Sequence, residues 1–108
     1  MSDWSGRHEY TEENVRTYAP VSAGVYRLIF YKNGDSYIVF YIGKSDDSIE
    51  RRLLEHLSTS EENTCIKNNL RDYTCFFRFI SIATQAERDR LEKQQINEYK
   101  PSCNSQLK

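Results

Sequence analysis

Apolar residues are thinly spread up to Ser22, then crowd into Val25-Tyr-Arg-Leu-Ile-Phe-Tyr31 and, after Lys32-Asn33-Gly34-Asp35, into Tyr37-Ile-Val-Phe-Tyr-Ile42. Two β-branched and aromatic runs around an Asn-Gly predict a β-hairpin with a two-residue turn at Asn33-Gly34. If Lys32 pairs with Asp35, then Phe30 faces Tyr37, Leu28 faces Val39 and Tyr26 faces Tyr41 on one side of the sheet. Val25, Ile29, Ile38, Phe40 and Ile42 fall on the other side. Both faces are apolar, so the hairpin should be central and covered on both sides.

Beyond the hairpin, Asp47-Ser48-Ile49-Glu50 has the form of a capping box with Asp47 as cap, opening a helix over about 48–57. At about 100° per residue, Ile49, Leu53, Leu54 and Leu57 share one face, Arg52 and His56 lie on its near edge, and Arg51 points to solvent. A short helix around 65–70, a strand over 74–82 and a helix from the Thr84/Glu87 box to about Tyr99, stopped by Pro101, complete the pattern. Before the hairpin, residues 1–22 are polar and end in Ala19-Pro20, and are expected as a loose arm with at most a helical turn near 12–16. The domain proper is expected over 23–108, as an α/β fold with a central three-stranded, mainly antiparallel sheet flanked by helices.

Composition narrows the function classes. The chain has 108 residues, enough for one compact domain and too few for two. No apolar run approaches a membrane span, and the N-terminus lacks a basic-then-apolar signal, so a cytoplasmic location is expected. Cys65, Cys75 and Cys103 are odd in number, far apart and without C-x-x-C spacing, and are expected as reduced, buried thiols. A net charge of −1 and pI near 6.1 weigh mildly against a nucleic-acid partner. A cleft needs only local cations, and Lys44, Arg51 and Arg52 supply a cluster.

Taken singly, the polar candidates have plain readings. A tyrosine pair on a sheet is most often core packing with rim hydroxyls, a helical histidine is most often solvated, and a helical glutamate is normally a surface charge. Their order changes the weighing. Gly24-Val25-Tyr26, then Tyr41-Ile42-Gly43-Lys44, then Arg52-Leu53 with His56, then Leu91-Glu92 through Lys100-Pro101 to Asn104 together resemble the GIY-YIG nuclease superfamily over residues 24–104. Val25 stands where the first motif has Ile, and two adjacent arginines compete for one place. Alignment through Arg-Leu and the helical wheel both favour Arg52.

The resemblance implies a metal-dependent endonuclease that hydrolyses phosphodiester bonds in DNA, with RNA not excluded. It assigns Tyr26 as general base, assisted by Lys44 and Arg52, Tyr41 as a positioning hydroxyl and Arg52 as the fork on the phosphate. His56 becomes a proton relay, Glu92 the ligand of one Mg²⁺ or Mn²⁺, and Asn104 a brace near the site. The alternative is a non-catalytic or partner-dependent nucleic-acid-binding component of a repair, recombination or phage-defence system. Double-strand cutting by one small site would call for a homodimer or for two successive nicks.

Overall fold

A computed structural model of the chain describes residues 3–104; the outermost residues of the expected arm and domain, 1–2 and 105–108, lie outside the described residues. Its eight elements are β1 (His8–Glu9), α1 (Glu12–Tyr18), β2 (Gly24–Asn33), β3 (Ser36–Ser45), α2 (Ile49–Leu57), α3 (Thr64–Asp72), β4 (Cys75–Ser81) and α4 (Gln85–Tyr99). The sheet is antiparallel throughout, in the order β1-β4-β2-β3. Four strands replace the expected three, because the first residues do not lie loose. His8 and Glu9 pair with Phe77 and Phe76, while Tyr10, Val15 and Ala19 enter the core. Strand β1 is too short to leave a periodic signal.

The hairpin forms where expected but in another register. Gly34, at φ +52°, takes the left-handed position, so the turn is Gly34-Asp35 and Asn33 pairs with Ser36. Lys32 and Phe40 are left as extra residues, and Tyr26 consequently lies opposite Gly43 rather than Tyr41. The bulge also exchanges two faces: Phe40 joins the cluster containing Tyr26, Leu28, Phe30 and Tyr41, and Val39 joins Val25, Ile29 and Ile42 on the other side. Tyr26 and Tyr41 nevertheless share a face. That face is covered by side chains of α1, α2 and α3, and the opposite one by Leu91, Ile96 and Tyr99 of α4 together with Trp4.

Helix α2 is capped by Ser48, whose Oγ accepts the Arg51 N–H, rather than by Asp47. Asp47 is drawn instead to the Ser45 hydroxyl and the Arg51 guanidinium. Thr84 makes no side-chain cap at α4; its hydroxyl donates to the Glu87 carboxylate at 2.9 Å. Lys100, at φ 47°, closes α4 ahead of Pro101. The cysteine expectation also needs correcting: Cys65 and Cys103 are joined by a disulfide across 38 positions, and only Cys75 is a free, buried thiol. The fold brings these distant residues together, which spacing along the chain could not reveal.

Candidate active site

The centre of the site is a buried hydrogen bond. Tyr26 is fully buried, His56 is 3% exposed, and the Tyr26 hydroxyl lies 2.7 Å from His56 Nε2. The other ring nitrogen, Nδ1, lies 3.2 Å from Glu61 Oε2. Tyr41 completes a three-ring cluster, its centroid 6.2 Å from that of Tyr26 and 5.2 Å from that of His56. Gly43 is required opposite Tyr26, since a Cβ there would meet Tyr26 Cε1 at 2.8 Å and Cζ and Oη closer still.

Arg52 lies beside the phenols and Arg51 does not, in agreement with the helical wheel. The Arg52 guanidinium lies near the Tyr41 hydroxyl, where its charge opposes the rise of that phenol, and bridges to Glu55 at 2.6 Å. Burial works against its charge, but Tyr26, Glu55 and Tyr41 more than offset this and hold it protonated. Arg51 is exposed and spans Asp47 and Glu55 along the helix. Beside Tyr41, Arg52 and His56 opens a cleft of about 730 Å³, walled on its far side by Glu61, Glu62 and Asn63.

Lys44 follows the second motif, but its ammonium pairs with Asp89 of α4. The phenols are not pulled toward ionisation in the free protein, contrary to the help expected from Lys44 and Arg52. Burial pushes the Tyr26 phenol well up, and Arg52 only partly opposes it. Tyr41 is raised for the same reason. Burial lowers His56 below the ordinary histidine value against the pull of Glu61, so its ring is neutral at pH 7.

Glu92 lies half-buried on α4 and interacts electrostatically with Tyr26, Tyr41 and Lys44. Its carboxyl is raised by burial, with Lys44 opposing. The carboxylate accepts no hydrogen bond from a described residue, leaving its oxygens available to a cation. No group of three or more metal-ligating side chains occurs among the described residues. A lone oxygen donor with open coordination suits a hard ion that keeps most of its water. Asn104 braces the second motif: Oδ1 accepts the Ile42 N–H and Nδ2 donates to the Ile42 carbonyl, both at 2.8 Å. Next to it, the Cys103 N–H donates to the bulged Phe40 carbonyl.

Of the seven residues expected from sequence, Tyr26, Tyr41 and His56 meet in direct contact, and Arg52 lines the same cleft as Tyr41 and His56. Glu92 interacts electrostatically with the two tyrosines and Lys44 with Glu92, while Asn104 supports the strand. Three partners were not foreseen: Glu61, Glu55 and Asp89. Their only signal is a carboxylate within reach of an already suspected cation or histidine, and nothing in sequence spacing aims Glu61 at His56.

The architecture is an α/β domain whose antiparallel sheet carries a tyrosine–histidine–carboxylate hydrogen-bond chain, with the half-buried carboxylate of Glu92 close by. The profile of the GIY-YIG catalytic domain matches residues 22–106, and the chain belongs to the GIY-YIG nuclease family. Among solved structures it is similar to the N-terminal GIY-YIG endonuclease domain of UvrC from Thermotoga maritima bound to magnesium, its catalytic divalent cation. That match has 25% identity and a TM-score of 0.61, covering 86% of this chain and 98% of that one. An asparagine-to-alanine mutant of the same domain, also bound to its catalytic cation, matches at 25% identity and TM-score 0.62, over 86% and 97% of the two chains. No curated protein matches the chain.

Proposed function

We propose that this domain is an endonuclease acting on DNA, dependent on Mg²⁺ or Mn²⁺, with Tyr26 as general base. The observation that carries the reading is the buried Tyr26–His56 hydrogen bond, beside a protonated arginine and the Glu92 carboxylate, which accepts no hydrogen bond from a described residue. A phenol with its ordinary pKa near 10 is about one part in a thousand ionised at pH 7, and burial makes Tyr26 rarer still as a phenolate. The proton therefore needs a receiver, and His56 Nε2 is in place.

As the phosphodiester is attacked, the water proton passes to the Tyr26 oxygen while the Tyr26 proton passes to His56 Nε2. The water oxygen forms the new bond to phosphorus, and the bond to the leaving oxygen breaks. The Arg52 fork stabilises the charge gathering on the non-bridging oxygens. Tyr41, whose hydroxyl lies near the Arg52 charge, orients the phosphate. Glu92 would hold the cation, which supplies Lewis-acid neutralisation of the phosphate and leaving oxygen. The leaving alkoxide is finally protonated from solvent.

Supercoiled plasmid incubated with the protein should be nicked in Mg²⁺ or Mn²⁺ and left intact in EDTA. Glu92→Gln should stay folded and lose activity by orders of magnitude. Wild-type cleavage by folded Glu92→Gln, or by wild type in EDTA, would sink the assignment. A second reading, in which a homodimer or DNA-binding partner supplies most of the affinity, is favoured by one observation. Lys44, Arg51 and Arg52 are each already paired with a carboxylate. Adding such a partner would then lower the protein concentration needed for nicking without changing the single-turnover rate.

A further inference from the structure

An imidazole between a phenol and a carboxylate has only one neutral arrangement that satisfies both. An ionised carboxylate is an acceptor only, so Nδ1, facing Glu61 Oε2 at 3.2 Å, must carry the ring proton. Nε2 is then a bare acceptor, aimed at the Tyr26 hydroxyl 2.7 Å away. With the other tautomer, Nε2–H would face a phenol that must itself keep its proton, and Nδ1 would face a carboxylate with no proton between them.

Glu61 is held so that it can make this choice. Its Oε1 accepts the Asn63 N–H at 3.2 Å, and Asn63 is the N-cap of α3, with its Oδ1 accepting the Ile66 N–H. Asn63 Nδ2 donates in turn to the Cys103 carbonyl, and Cys103 is bonded to Cys65 of α3. The loop between α2 and α3 is thereby pinned to the same C-terminal segment that braces Ile42.

We infer that Glu61 is a positioning residue for the reaction: it fixes the Nδ1–H tautomer of His56 and stabilises the imidazolium formed when Nε2 takes the Tyr26 proton. The catalytic part of this inference rests on the proposed role of Tyr26, whereas the tautomer and basicity of His56 do not. The groups facing His56 are Tyr26 from β2, Tyr41 from β3, Arg52 and Glu55 from its own helix, and Glu61 from the loop. Of these, Glu61 raises His56 most and Arg52 opposes it. A neutral Glu61 replacement must therefore make His56 less basic.

Two readouts test this, one independent of cleavage. In ¹⁵N-histidine NMR spectra, with His8→Gln used to assign the two rings, wild-type His56 should show Nδ1 protonated and Nε2 bare. Glu61→Gln should titrate His56 about one pH unit lower, Glu61→Ala should mix the tautomers, and Glu61→Asp should restore the wild-type form in part. In single-turnover cleavage, the acid limb of the Glu61→Gln profile should move down by the same amount and its plateau fall about tenfold. Proximal effects on folding alone would lower the plateau without moving the limb. A wild-type ring with Nε2 protonated, or a His56 titration unmoved in Glu61→Gln, overturns the inference. If the ring responds as expected while Tyr26→Phe and Glu61→Gln cleave like wild type, the coupling of Glu61 to His56 stands and the general-base reading of Tyr26 fails.

Discussion

Adding one methyl group at Gly43 tests whether the close approach of the two motif strands serves catalysis. A Cβ at this position would stand 2.8 Å from Tyr26 Cε1, with Cζ and Oη nearer, where ordinary contact begins at 3.4 Å. The Tyr26 ring must therefore shift by about 1 Å, or β3 must retreat by as much. The ring is fully buried and its hydroxyl sits 2.7 Å from His56. A shift of that size either stretches the hydrogen bond to about 3.7 Å, beyond useful geometry, or drives the phenol into the imidazole. Overpacking of this kind costs about 1–3 kcal/mol of stability, within reach of a small domain, while misplacing a reacting group by about 1 Å can cost about a hundredfold in rate. Gly43→Ala should therefore melt lower yet remain folded at 25 °C, and its single-turnover nicking should fall at least a hundredfold. A folded Gly43→Ala protein cleaving within threefold of wild type would refute the reasoning, because the Tyr26–His56 geometry would then be dispensable.

Removing hydroxyls separates the two tyrosines. Tyr26→Phe leaves His56 Nε2 buried without its donor and should cost about 1–3 kcal/mol in chemical denaturation, besides abolishing cleavage. Tyr41→Phe, which removes a hydroxyl near Arg52 beside the open cleft, should be nearly as stable as wild type and slow. Equal stability of the two variants would contradict the assigned partners. Arg52→Ala should reduce the single-turnover rate by about 10²–10³, whereas Arg51→Ala should leave that rate nearly intact and weaken DNA binding modestly; a dead Arg51→Ala variant would reverse the assignment. Asp89→Asn frees Lys44 and should tighten DNA binding severalfold, steepening its salt dependence by about one ion. An unchanged salt slope would show that Lys44 does not reach a phosphate.

The hairpin and three of the helices are legible in the sequence because aromatic and β-branched runs, the apolar face of α2 and the Thr84, Glu87 and Pro101 signals around α4 are properties of each segment by itself. What fails is the register. Placing the turn at Asn33-Gly34 assumes unbroken alternation, and two extra residues, Lys32 and Phe40, break it. Tyr26 and Tyr41 still share a face because the shift moves Tyr41 along the strand relative to its partner while the bulge restores its side. The two phenols are therefore neighbours despite the wrong pairing scheme.

Interactions that join distant segments are a different matter. Helix α4 turns Arg88 and Gln95 toward the sheet, where periodicity would place apolar residues. Each is buried yet satisfied: Arg88 by the Ile82 and Ala83 carbonyls and Asp46, Gln95 by the Arg27 guanidinium, which Trp4 covers at 3.9 Å. A hydrophobicity pattern cannot show such an arrangement, because it ranks residues by type and not by the partner that makes burial tolerable.

The same blindness explains why net charge was a poor guide to substrate. Each cation near the site has a carboxylate partner, so a net charge of −1 reflects pairs that phosphate can enter by exchange, not a surface without cations. Exposed pairs such as Arg51 with Asp47 contribute little in water, and opening one mainly reduces the electrostatic gain on binding. Arg52 differs, since its charge is held partly buried by the two phenols and Glu55. On the proposed mechanism, a phosphate beside Tyr41 would gain an interaction with Arg52 that strengthens as charge builds up on its oxygens. Under the proposed mechanism affinity and catalysis would rest on different cations, so that Arg51→Ala is expected to change binding and Arg52→Ala the rate.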